Sequence, residues 1–201
     1  NGAHVLFPKD TVGNPLGKVI SDAGKNQIRI AETEKYAHVT YFFNGLRETP
    51  YKNEFRVLIP SRGDVKKEDH PEMMASAITD RVLLSLNDGG FDFVLVNYAN
   101  GDLISHTGNF DAVVKAVKTV DKEIGRLVKQ ALQGNHVLLI TSDHGNAEAL
   151  INLQTGEQET QHDPNPVPIY LVGKEFADRG KRSSALGESA SWRIEPIGLL
   201  S

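Results

Sequence analysis

Five side chains with metal-ligand chemistry sit in three short runs of this chain. In Asn97-Tyr98-Ala99-Asn100-Gly101-Asp102-Leu103-Ile104-Ser105-His106-Thr107-Gly108, Asp102 and His106 lie four residues apart. That spacing puts both on one face of a helical turn, and a short loop also allows them to converge. Thr141-Ser142-Asp143-His144-Gly145-Asn146-Ala147-Glu148 supplies Asp143 and His144, and Gln161-His162-Asp163-Pro164-Asn165-Pro166 supplies His162. Carboxylate oxygen and neutral imidazole are the usual ligands for hard-to-borderline divalent ions. Five such groups are too many for one tetrahedral zinc, but they suit two ions roughly 3.5–4 Å apart, the arrangement used in phosphoryl transfer. The imidazoles argue against magnesium alone, which prefers oxygen and water; manganese, cobalt, iron and zinc fit better. A lone Asp or His after a strand is ordinarily a cap or a turn residue, so the chemistry rests on all three runs converging. Spacing alone gives a dimetal hydrolase or transferase.

The elements that must position these runs follow from apolar periodicity. Gly13-Asn14-Pro15 opens a turn before a short helix, Leu16 to Ala23, ended by Gly24. Gln27 to Ile30, Val39 to Phe43 and Arg56 to Ile59 read as strands. A charged surface loop covers Ser61 to His70. Ser76 is placed to cap a helix running towards Leu86 that Asp88-Gly89-Gly90 terminates. Phe91 to Val96 is short, nearly all apolar and bounded by glycines, as expected of a strand buried on both faces. Val113, Val117, Val120, Ile124, Leu127, Val128 and Ala131 recur at three- and four-residue spacing, which predicts one long amphipathic helix. Asn109 can cap it and Gly134 can close it. His136 to Thr141 and Val167 to Val172 add two more strands. Strand, helix, strand in this order predicts a parallel unit with a right-handed crossover. The fold class is therefore α/β, a mostly parallel sheet between helices, with ligands expected beyond the carboxyl ends of the strands.

Composition narrows the function classes. The 201 residues are enough for one domain with a core, and 39% hydrophobic with 24% charged is ordinary for a globular protein. A formal net charge of −4 argues against a general nucleic-acid surface. No stretch of about 18 apolar residues suggests a membrane span, and Asn1 to Asp10 has no signal pattern. There is no cysteine, which excludes disulfides, thiolate metal sites and cysteine nucleophiles and suits a reducing cytoplasm. His4, His70 and His136 read as structural or solvated, and His38 as a packing residue. Glu148 reads either as a group orienting a metal ligand or as a helix cap.

Ala31-Glu32-Thr33-Glu34-Lys35-Tyr36-Ala37-His38-Val39-Thr40 closely resembles a segment of the cofactor-independent phosphoglycerate mutases. So do the runs Asn97–Gly108 and Thr141–Glu148, and Asn165-Pro166-Val167-Pro168. A bare Asp-His-Gly would indicate only the wider alkaline-phosphatase-like superfamily; the Ala-Glu-Thr-Glu-Lys-Tyr segment narrows it. The resemblance implies an alkaline-phosphatase-like fold and two divalent ions, most simply manganese, with cobalt, zinc, iron or magnesium as the alternatives. By that resemblance Asp102, His106 and His162 match the ligands of one ion, Asp143 and His144 match two ligands of the second, and Lys35 matches a catalytic, substrate-binding lysine at the phosphoryl-transfer centre. The implied substrates are the small molecules 2- and 3-phosphoglycerate, acted on by a monomeric, cytoplasmic parent with no nucleic-acid or membrane partner.

Departures from the family pattern carry expectations of their own. Nothing here matches the family's Asn-Ser-Glu-Val-Gly-His nucleophile motif, the early aspartate completing the second metal site, or the inserted transferase domain. Gly101 stands where a proline is more usual and Ser105 where a glycine is. Residues 1–201 are thus expected to be the C-terminal portion of a metal-binding phosphatase domain, cut from a longer chain and inactive alone. The rival expectations are another superfamily phosphomutase or phosphatase, and a metal-binding piece without catalysis.

Overall fold

Pro15 precedes α1 (Leu16–Asp22), and Gly24, at φ 69°, turns the chain into β1 (Gln27–Glu32). The computed structural model describes residues 12–63, 65–152 and 155–176. Along them follow β2 (Glu54–Ile59), α2 (Ala75–Asp88), β3 (Phe93–Asn97), α3 (Asn100–Ser105), α4 (Phe110–Gly134), β4 (Leu138–Ile140) and β5 (Tyr170–Val172). The architecture is α/β, divided into two compact units: residues 1–63 with 80–99, and residues 64–79 with 100–201. Helix α2 runs from one unit into the other.

The first unit is built on a parallel sheet of order β2-β1-β3, in which Gln27 sits opposite both Glu54 and Phe93. The central strand is therefore β1, and all six of its residues are buried. Ile28 and Ile30 supply apolar volume, as expected of a parallel strand covered on both faces. Arg29 is buried as well. Its guanidinium lies 4.3 Å from the Phe43 ring and 5.4 Å from the Phe93 ring and donates to Gln27 Oε1. Burial lowers its pKa to about 10 while the neighbouring Glu54 carboxylate pulls the other way, so Arg29 remains a cation at neutral pH. Burial by itself would push the Glu54 carboxyl up. The Tyr51 backbone N–H (2.9 Å), Arg56 Nε (2.7 Å) and Asn44 Nδ2 (2.8 Å) together hold it below its ordinary value.

In the second unit, the expected stripe of α4 holds in part: Val113, Leu127 and Ala131 are buried, but Val117 is exposed and the buried face takes in Ala112, Ala116 and Glu123 instead. Ala112, Val113 and Ala116 pack with Ile104 of α3 and with Leu150 into one cluster, against which Met73 and Ala147 rest. Asn109 caps α4, its side chain accepting from the Ala112 N–H at 3.1 Å. Gly134 is the last helical residue, and Asn135 at φ 59° takes the left-handed position that ends it.

Four expectations are corrected. Val39–Phe43 is not a strand, because His38–Phe42 forms a single π-helical turn. Thr40 Oγ1 donates to the Tyr36 carbonyl at 2.7 Å, and Phe42 meets His38 and Tyr41 edge to face, at 5.3 and 5.2 Å between ring centres. These local bonds and ring contacts outweigh the β-preference of Val39 and Thr40. Second, β4 does not extend the parallel sheet beside β3; it pairs antiparallel with β5, Leu138 opposite Val172. Its middle residue, Leu139, faces solvent, the pattern of a strand wet on one face rather than one covered on both. Third, β3 is only half-buried throughout. Fourth, Ser76 lies inside α2, which begins at Ala75. His4 falls outside the described residues.

Candidate metal centre

Lys35 belongs to the first unit and closes a one-turn 3₁₀ segment, Thr33–Lys35, directly after β1. It is only 3% exposed. A solvated surface lysine, the ordinary fate of this residue type, is thereby excluded. Beside this turn, Ser61 donates through Oγ to Glu32 Oε2 at 2.9 Å, and its N–H reaches Thr33 Oγ1 at 3.0 Å.

The five candidate ligands all lie in the second unit. Asp102 is in the first turn of α3, and the His106 N–H bonds back to the Asp102 carbonyl at 3.2 Å, so the two side chains share one helical face. The third comes from far along the chain. Gly145 and Asp163 form an antiparallel bridge, Gly145 N–H to Asp163 O at 3.2 Å and Asp163 N–H to Gly145 O at 2.8 Å. That clip carries His162 onto the α3 face. Asp102 Oδ1 lies 3.0 Å from His106 Nε2 and 3.1 Å from His162 Nε2, and the two Nε2 atoms are 3.2 Å apart. One ligand atom from each residue falls within 4.8 Å of the others.

The remaining hydrogen bonds decide which ring atoms are available. His106 Nδ1 is 2.6 Å from the Thr160 carbonyl. A carbonyl only accepts, so in the neutral ring the proton sits on Nδ1 and Nε2 keeps its lone pair. His144 repeats the pattern, with Nδ1 3.2 Å from the Gly145 carbonyl. Its ring stacks on that of His162 with centres 3.7 Å apart, and its Nε2 stands 3.7 Å from Asp143 Oδ2. The structure thus gathers Asp102, His106 and His162 tightly and sets His144, with Asp143 Oδ2 3.7 Å from its Nε2, against the cluster's edge. One carboxylate oxygen and two imidazole Nε2 atoms that already converge fit a borderline divalent cation.

Two groups in this centre have no counterpart in the sequence reading. Asn146, buried, donates from Nδ2 to Asp102 Oδ1 at 2.9 Å. The other is the Thr160 carbonyl. A carboxylate ligand needs an orienting donor, and that requirement could have drawn attention to an amide inside the Asp143–Glu148 run. A backbone carbonyl has no sequence signal at all. Glu148 touches no ligand; its Oε2 accepts the Asn146 backbone N–H at 2.8 Å and stiffens the turn behind it. His70 pairs with Glu72 at 3.3 Å.

The metalloenzyme-superfamily model matches residues 4–199. The chain is similar to the 2,3-bisphosphoglycerate-independent phosphoglycerate mutase of Clostridium botulinum, 46% identical over 180 residues, covering 88% of this chain and 35% of that protein. Phosphoglycerate mutase 2 of that type from Methanosarcina barkeri is 47% identical over 196 residues, 97% of this chain and 37% of its own. Among solved structures, a Leishmania mexicana phosphoglycerate mutase at low cobalt concentration superposes with a TM-score of 0.74 at 28% identity, covering 88% of this chain and 37% of that one. The chain spans about a third of the length of the curated relatives it matches.

Proposed function

The chain belongs to the metalloenzyme superfamily, and on that premise we propose that it is the metal-binding portion of a cofactor-independent phosphoglycerate mutase, whose parent interconverts 3-phosphoglycerate and 2-phosphoglycerate. The observation that carries this is the convergence of Asp102, His106 and His162 within hydrogen-bond distance of one another. In this reading these three residues hold one divalent ion, and Asp143 with His144 offers two ligands to a second. Manganese suits a donor set of two imidazoles and a carboxylate better than magnesium does. Bound there, the ions polarise phosphoryl oxygens and neutralise their charge. Lys35 supplies a fixed ammonium that stabilises charge developing on the transferring group. A serine from outside these residues takes the phosphoryl group, the glycerate reorients, and its other hydroxyl takes the group back. The reading entails a small-molecule substrate, a monomeric parent and a cytoplasmic setting; no described helix is long and apolar enough to cross a membrane.

The test is a coupled enolase assay with added Mn²⁺, run on the parent-length protein and on the 201-residue chain. The parent is expected to turn over 3-phosphoglycerate, and Lys35→Ala to lower its kcat by about 10²–10³, the size of effect seen when one preorganised electrostatic donor is removed. Unchanged kcat in that variant removes Lys35 from the centre. The 201-residue chain alone is expected to show none. Turnover by it near about 10 per second would overturn the placement of the nucleophile. A parent that hydrolyses phosphate esters without mutase activity is a superfamily phosphatase instead.

A further inference from the structure

Asn146 is nearly fully buried, at 4% exposure, and its two side-chain atoms are treated very differently. Nδ2 donates to Asp102 Oδ1 at 2.9 Å, while Oδ1 is buried with no hydrogen-bond partner. Most buried side-chain polar atoms are satisfied, and Asn44 and Asn100 share an unmet buried Oδ1 with Asn146, so it is the partner of the Asn146 donor that sets it apart. Here the acceptor is left unmet and the donor is committed to the one carboxylate oxygen that also faces His106 and His162. The backbone fixes this orientation. Glu148 Oε2 holds the Asn146 N–H at 2.8 Å, the Ala149 N–H bonds the Asn146 carbonyl at 3.2 Å, and the adjacent Gly145 is clipped to Asp163. Nδ2 also lies 3.5 Å from the Asp102 carbonyl, so both of its contacts are to Asp102.

We infer that Asn146 is a positioning residue for metal binding, acting through Asp102. The inference rests on the reading of Asp102, His106 and His162 as a cation site. A carboxylate without a fixed donor swings about its last torsion and presents either oxygen. The Asn146 amide locks one rotamer and places Oδ1 at the meeting point of the two imidazole nitrogens before any cation arrives. Groups that orient metal ligands in this way are typically responsible for 10–100-fold of the affinity.

The experiment uses Mn²⁺ alone as the probe, with calorimetry on the wild-type chain and on the Asn146→Ala and Asn146→Leu variants. Thermal unfolding of each in excess chelator is measured in parallel. Asn146→Leu keeps the volume and removes the unmet acceptor, so its metal-free melting temperature is expected to equal or exceed that of wild type. Its Mn²⁺ affinity is expected to fall 10–100-fold, as in Asn146→Ala. Unchanged affinity in both variants overturns the inference while leaving the site intact. A fall that only tracks lost metal-free stability assigns Asn146 to packing and also overturns it. Complete loss of binding makes Asn146 a ligand in its own right, again against the inference. Absence of Mn²⁺ binding by the wild-type chain overturns the site reading itself, and the inference with it.

Discussion

Asp102 Oδ1 faces three nitrogen atoms at once: Nε2 of His106 at 3.0 Å, Nε2 of His162 at 3.1 Å and Nδ2 of Asn146 at 2.9 Å. It is the one carboxylate in the converging set of three. Its removal should therefore separate strong from weak sites. Calorimetry with Mn²⁺ is expected to give one dominant site on the 201-residue chain, lost in Asp102→Ala and largely kept in Asp143→Ala, because Asp143 is not one of the three converging residues. Two equally tight sites would contradict the ranking. At this scale the sequence was informative where chemistry resides in residue type. The paired Asp and His at four-residue spacing, the Asp-His pair and the later His could all be read in advance. Asn146 could not, because an amide beside a histidine is common and only its burial and its bond to Asp102 single it out. Thr160 contributes a carbonyl, which every residue possesses.

At the scale of elements, the centre is made by a helix turn and a two-residue clip. An added Cβ at Gly145 would come within 2.1 Å of Glu148 Oε1 and 2.8 Å of the Asp163 carbonyl oxygen. The first is the end of a flexible side chain and can move; the second is backbone and belongs to the clip itself. Gly145→Ala is thus expected to pry the segment carrying His162 away from α3 and to lower Mn²⁺ affinity at least tenfold, an outer-shell-sized effect. Binding titrations check this, and wild-type affinity in that variant would mean the clip is dispensable. The long helix α4 was legible because seven apolar positions repeat along it and Asn109 marks its start. The turn at His38–Phe42 was not. Val39 and Thr40 look like strand residues one at a time, and only the ring contacts of Phe42 with His38 and Tyr41 reveal the helical turn. Strand partners were also beyond reach, since apolar runs identify β4 and β5 but carry no record of what lies beside them.

For the molecule as a whole, the polar cluster of the first unit carries a pH prediction. The Glu54 carboxyl is held below its ordinary value despite burial, by the Tyr51 N–H, Arg56 and Asn44. A depressed carboxyl stabilises the fold fully above its unfolded value, near 4.3, and that stabilisation is lost as pH falls through the folded value. Urea unfolding from about pH 6 down to pH 3 is expected to show a steep loss in the wild-type chain and a shallower one in Glu54→Gln, which starts from lower stability at pH 6. Parallel curves would exclude Glu54 as the acid-sensitive group. A different consequence follows from the strand order β2-β1-β3. The central strand precedes both of its described neighbours in the chain, and these arrive in turn, Glu54 opposite Gln27 and only later Phe93. At about 5–20 residues per second, β1 waits on the ribosome for a time on the order of seconds with one edge bare. A two-stranded ribbon is marginal in water, and a bare apolar edge is a template for any passing strand. A ribosome that stalls between Ile59 and Phe93 would therefore hold out β1 before β3 has covered its edge.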